Sequence, residues 1–180
     1  MASSRRAGLF RGRSAVPLAG ALALAWLAVA PPALVAETSA VVRQSLDGDW
    51  QFRQAGQDKW LPARVPGCVH LDLQAAGLIP DPFDRDNETR VQWVESADWE
   101  YRREFKLASS VLGNSHIELV AAGLDTFATI LVNGQKVAET DNMFRSWRFD
   151  IKPFVRPGGN EIVIRFDSPV KRAAALEAKA

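Results

Sequence analysis

Cysteine is nearly absent. Cys68 stands alone in 180 residues, so no intrachain disulfide can form even in an oxidising compartment, and packing must hold the fold together. Lone cysteines are usually buried, and Cys68, behind the Pro66-Gly67 turn, is expected to be a packed small residue. Histidine is as scarce, with only His70 and His116 on unrelated segments. This leaves no spaced ligand set for a metal and no nucleophile–histidine pair for acyl transfer. Both histidines are expected to be structural or surface residues. A glycine-rich phosphate loop is missing too, since Gly158-Gly159 has neither the lysine nor the strand-to-helix setting. No cofactor is expected. There is no basic stripe of the kind that marks a nucleic-acid binder, and no internal repeat of about 20–50 residues that would announce a solenoid or propeller.

Long apolar runs are also wanting. The longest, Ala15 to Ala30, contains Pro17 and is followed by Pro31 and Pro32, whereas a bilayer-spanning helix needs about 20 apolar residues. Ahead of it stand Arg5, Arg6, Arg11 and Arg13, with no acidic residue before Glu37. A basic start, a short apolar stretch and small residues ahead of a cleavage point are the parts of an export signal. Residues 1–36 are therefore expected to be a signal peptide cleaved after Ala36, leaving the mature chain periplasmic or extracellular with no membrane anchor. Arg5-Arg6 is a weak hint of a twin-arginine address. Losing those four arginines takes the formal charge from +1 to −3, so the mature part is mildly acidic.

What remains reads as one domain. After a leader at 37–43, short alternating apolar segments recur between turn signals, the pattern of an antiparallel sandwich. Asp47-Gly48-Asp49 leads into Trp50 and Phe52 on one face of a strand. From Asp98 to Phe105, Trp99, Tyr101 and Phe105 share one face while Glu100, Arg102 and Glu104 share the other. Ile117 and Leu119 alternate in the next segment. The β-branched run Thr126 to Val132 ends at Asn133-Gly134, a hairpin turn because both residues tolerate positive φ. A last strand, Glu161 to Phe166, is entered through Pro157-Gly158-Gly159-Asn160. The expected fold is all-β, residues 44–168, with one short helix from Val69 to Ala76 capped by Gly77. Residues 169–180 turn to alanine, lysine and glutamate, as a linker or the truncated start of a helix.

Five tryptophans follow the signal, Trp50, Trp60, Trp93, Trp99 and Trp147. Trp50 and Trp99 sit on alternating apolar faces and are expected in the core. Trp93 falls outside that periodicity, in a polar loop from which an aromatic ring can reach a ligand. Asp81, Asp84, Asp86 and Glu88 share one polar stretch that reads as a solvated loop.

From Ser45 to Phe105 the chain resembles the β-mannosidases of glycoside hydrolase family 2. The strings L-D-G-D-W-Q-F, V-P-G-C-V-H-L-D-L, G-L-I-P-D-P-F, D-N-E and V-Q-W-V-E-S-A-D-W-E-Y come in that family's order and spacing, and the likeness continues through Gly123 to Val137 and Asp141 to Val155. The resemblance implies a jelly-roll, galactose-binding-like β-sandwich ahead of immunoglobulin-like domains and a (β/α)₈ barrel carrying two catalytic glutamates. It implies retaining hydrolysis of terminal β-D-mannose. These 180 residues hold neither the barrel nor the family's W-D-W-G-P segment, so no catalytic residue is assigned here. In related enzymes the loop ahead of the Trp99 strand approaches the active site, which makes Asn87 and Trp93 the candidate substrate-binding residues. The implied partners are β-mannoside glycans and the barrel domain of the parent chain. A free-standing carbohydrate-binding module is the alternative, and a ligand-free interaction domain a third.

Overall fold

The computed structural model describes residues 41–179; the signal-peptide expectation and most of the leader lie outside them. The chain runs β1 (Gly48–Gln54), β2 (Leu61–Val65), α1 (Val69–Ala75), α2 (Asn87–Val91), a 3₁₀ turn (Gln92–Ser96), β3 (Trp99–Leu107), α3 (Ser109–Leu112), β4 (Glu118–Ala121), β5 (Ala128–Val132), β6 (Gln135–Thr140), β7 (Trp147–Asp150), a 3₁₀ turn (Lys152–Phe154), β8 (Gly158–Phe166) and α4 (Pro169–Glu177). Six strands form one sheet in the order β2-β1-β3-β8-β5-β6, and β4 pairs with β7 in a second. All pairings are antiparallel.

Register explains the core. Because side chains alternate across a strand, pairing Trp99 with Phe166 and Tyr101 with Ile164 puts the apolar residues of β3 and β8 on one face. Pairing Phe52 with Tyr101 adds β1, and pairing Ile130 with Ile164 adds β5. Phe52 and Ile130 are fully buried. The Phe52 ring lies 6.0 Å from Trp99 and 5.8 Å from Tyr101, within the range where tilted aromatic pairs attract. Leu119 of β4 joins the same core. Trp50 and Trp99 are each 6% exposed, as their periodicity required, and their indole N–H groups donate to the carbonyls of Leu46 (2.7 Å) and Val94 (3.0 Å).

The hairpin at Asn133-Gly134 forms as expected, with φ of 50° and 77°, and its asparagine does more than turn. Asn133 Nδ2 donates to Phe154 O and to Asn160 Oδ1, both at 2.8 Å. Asn160, 3% exposed, in turn donates to the carbonyls of Arg156 (2.8 Å) and Gly158 (3.0 Å) and accepts from the Arg156 N–H (2.9 Å). Gly158 to Asn160 therefore belong to β8 rather than to a turn ahead of it, pairing with Leu107, Lys106 and Phe105.

Two further expectations change. Helix α1 forms, and the Leu78 N–H closes its end on Leu73 O at 2.9 Å, but it has company: α2, α3, α4 and two 3₁₀ turns. Cys68 is exposed rather than packed, because it is the residue ahead of the first turn of α1, in extended conformation and off both sheet faces. The turn before it is tight enough that a Cβ at Gly67 would run into the Arg64 carbonyl oxygen. Among the described residues no helix is long and apolar enough to cross a membrane.

Candidate functional site

Asn87 and Trp93 lie on the segment between α1 and β3. It is anchored by Ile79, Val91, Val94 and Ala97, all buried. The polar stretch expected to be a loop instead winds into α2 and the 3₁₀ turn. Val91, Val94 and Ala97 recur every three residues, so one face of a helical path points at the core. That spacing was legible in the sequence, and the density of acidic residues around it hid it. Trp93 falls between the buried positions and is 43% exposed. Its ring leans on the buried Trp99, centroids 5.9 Å apart and planes at 48°.

Asn87 is half-buried at the start of α2. Its Nδ2 donates to Asp81 O at 3.0 Å, and its Oδ1 accepts from Arg90 at 3.1 Å. The side chain thus pins the Asp81 turn to α2, and among the described residues one of its N–H groups and one lone pair have no partner. Asp81, Asp84, Asp86 and Glu88 are exposed, as expected. Beside them Phe83 is 98% exposed, its backbone N–H held by Asp81 Oδ1 at 3.0 Å.

A buried polar clip ties α1, which precedes this segment, to β2 and β3. Asp72 of α1, 6% exposed, accepts from the Tyr101 hydroxyl at 2.7 Å and from the Arg64 backbone N–H at 3.1 Å. Burial, and then the hydrogen bond to Asp72, push the Tyr101 phenol far above its ordinary value, so it stays protonated and donating. His70 is half-buried on α1 and His116 exposed. Among the described residues no three His, Cys, Asp or Glu side chains converge as a metal site.

A second clip closes the far end. Ser168, 1% exposed, caps α4 by accepting from Lys171 N at 3.1 Å and donates to Glu95 O at 2.6 Å. Its own N–H reaches Asp98 Oδ1 at 2.8 Å. The 3₁₀ turn carrying Trp93 is thereby tied to α4.

The sequence matches the family described as glycosyl hydrolase 2 galactose-binding domain-like over residues 50–180. The chain belongs to this family. It is 46% identical over 134 residues to beta-mannosidase B of Thermothelomyces thermophilus, covering 73% of this chain and 16% of that protein. To the beta-mannosidase of Bos taurus it is 42% identical over 130 residues, covering 72% and 15%. The crystal structure of the beta-D-mannosidase from Dictyoglomus thermophilum superposes with a TM-score of 0.71 at 50% identity, over 75% of this chain and 16% of that one. A beta-D-glucuronidase from Dictyoglomus thermophilum shares the fold at 22% identity and a TM-score of 0.53. The chain thus spans about one sixth of the length of the mannosidases it resembles, and what it aligns with in them is the family's β-sandwich.

Proposed function

We propose that this domain serves a β-mannosidase-like exo-glycosidase that removes terminal β-D-mannose from glycans. The observation that carries the reading is the 50% identity to a β-D-mannosidase over three quarters of the chain on a superposable backbone. Catalysis belongs to a barrel elsewhere in such an enzyme. The role of the sandwich is to support that barrel and to present the Asn87–Trp93 segment to the substrate pocket. The exposed Trp93 face would wall the pocket, and the remaining N–H and lone pair of Asn87 would meet a sugar hydroxyl. Ser168 ties the 3₁₀ turn that carries Trp93 to α4 through Glu95 O, which favours a positioning role. The parent would be exported, with residues 1–36 as its cleaved signal, residues 44–168 as the sandwich and α4 leading onward. The free-standing carbohydrate-binding module remains the second reading.

The test is an aryl β-mannoside assay on this chain and on a longer enzyme carrying it. The longer enzyme should turn over the substrate and the chain alone should not. Turnover by the chain alone, abolished by a single Asp or Glu substitution within it, would overturn this division of labour. Terminal sequencing of the exported protein should begin near Glu37.

A further inference from the structure

The hairpin turn between β5 and β6 carries a reactive sequence. Glycine after asparagine has no side chain to shield its peptide nitrogen, so the Gly134 nitrogen can attack the side-chain carbonyl carbon of Asn133. A bond from that nitrogen to Cγ closes a five-membered succinimide, and Nδ2 leaves as ammonia. Water then opens the ring at either carbonyl, giving aspartate or isoaspartate, and no other reactant is consumed. Gly134 is exposed, and a Cβ built on it would meet nothing within 4 Å. Neither crowding nor exclusion of water protects this turn.

Hydrogen bonds protect it instead. Asn133 Oδ1 accepts the Glu161 N–H at 3.0 Å, and Nδ2 gives its hydrogens to Phe154 O and Asn160 Oδ1, each at 2.8 Å. The Glu161 N–H can only donate and the Phe154 carbonyl can only accept, which fixes the orientation of the amide. The Asn133 backbone N–H donates to Glu161 O at 2.9 Å as well. Cγ is thereby held against β8, and the side chain must break three bonds to swing over the Gly134 nitrogen. We propose that Asn133 is a deamidation site that the native hydrogen bonds keep closed and unfolding opens. Its product cannot resume the native contacts. In an aspartate the atom replacing Nδ2 is an acceptor that faces two other acceptors, Phe154 O and Asn160 Oδ1. Asn160 cannot turn its amide round without abandoning Arg156 O and Gly158 O. Isoaspartate adds a carbon to the main chain between β5 and β6 and upsets the register of the hairpin. Unfolding that lasts long enough for ring closure therefore becomes irreversible, whatever a parent enzyme hydrolyses.

Asn114 supplies the internal comparison. It stands exposed ahead of Ser115, a bulkier neighbour whose nitrogen attacks more slowly, and its bonds to Lys152 Nζ and Val111 O are made by its backbone rather than its side chain. The test incubates this chain in mildly alkaline buffer, with and without denaturing guanidinium chloride, and follows the two asparagine peptides by mass spectrometry. In denaturant the Asn133 peptide should convert first, as its glycine neighbour dictates. In buffer the order should invert, with Asn133 about 30-fold slower than in denaturant because reaction waits on a local opening. The product is tested by substitution: Asn133→Asp should lower the urea midpoint or fail to refold, whereas Asn114→Asp does neither. Four results each overturn the proposal: Asn133 ahead of Asn114 in buffer, Asn114 ahead in both conditions, Asn133 rates within a few fold of each other in buffer and denaturant, or an Asn133→Asp midpoint unchanged within error.

Discussion

Trp93 rests its half-exposed indole on the buried indole of Trp99, ring centroids 5.9 Å apart. One ring belongs to the core and the other to the surface, so truncating them should separate stability from function. Trp99→Ala opens a cavity and should cost about 3–5 kcal/mol, as should Trp50→Ala, out of about 5–15 kcal/mol available to a domain. A urea midpoint unchanged within error in either variant contradicts the packing described.

Trp93→Ala in a longer enzyme should lower kcat/KM for a mannoside proportionally more than it lowers stability, since a pocket wall acts on bound substrate. Asn87→Ala removes a neutral hydrogen bond to Asp81 O, worth roughly 0.5–1.5 kcal/mol, and an exposed one from the Arg90 guanidinium. If both variants keep parental kinetics while the melting temperature drops, the segment is a packing element only.

Asn160 satisfies four backbone and side-chain partners from a buried position. Asn160→Ala leaves them unpaired, at about 1–3 kcal/mol for each group stranded away from water. The loss should exceed that of Asn87→Ala, and denaturation of both variants under one condition decides the order.

Asp98 gives the domain an acid-sensitive contact. Burial raises its carboxyl pKa, but the Ser168 N–H, Lys171 and Arg165 together outweigh burial and hold it below its ordinary value. A depressed folded-state pKa contributes stability above the unfolded value, and that contribution disappears as pH falls through the folded one. Below about pH 4 the native protein should therefore lose stability more steeply than Asp98→Asn. Identical acid limbs in the two urea-midpoint profiles would show that the carboxylate is not coupled to folding.

The exposed apolar residues near the candidate segment, Phe83 at 98% and Leu71 at 61%, mark a surface suited to contact with another part of a larger protein. Phe83→Ser should raise the solubility of the isolated chain without changing its denaturation midpoint. Static light scattering against concentration measures the first effect.

Alternation alone was enough to place Trp50, Phe52, Trp99, Tyr101 and Ile162 inside, because a strand's period of two assigns each residue a face before any partner is known. The Asn133-Gly134 turn and the α1 cap were local in the same sense, and the motif strings pointed to the family. Other features depended on residues far apart in the chain. Asn160 read as part of a turn because the partners that make it β8, Phe105 and Asn133, lie 55 and 27 residues away. Trp60 had no period to assign it a place until β1 and β3 came side by side and brought Arg53 and Arg102 to its ring. Asn87 read as a free polar residue because sequence shows hydrogen-bonding capacity but not which neighbours occupy it. Cys68 followed its residue type inward on paper, yet the fold left it outside, since burial is decided by which face of which element a residue occupies.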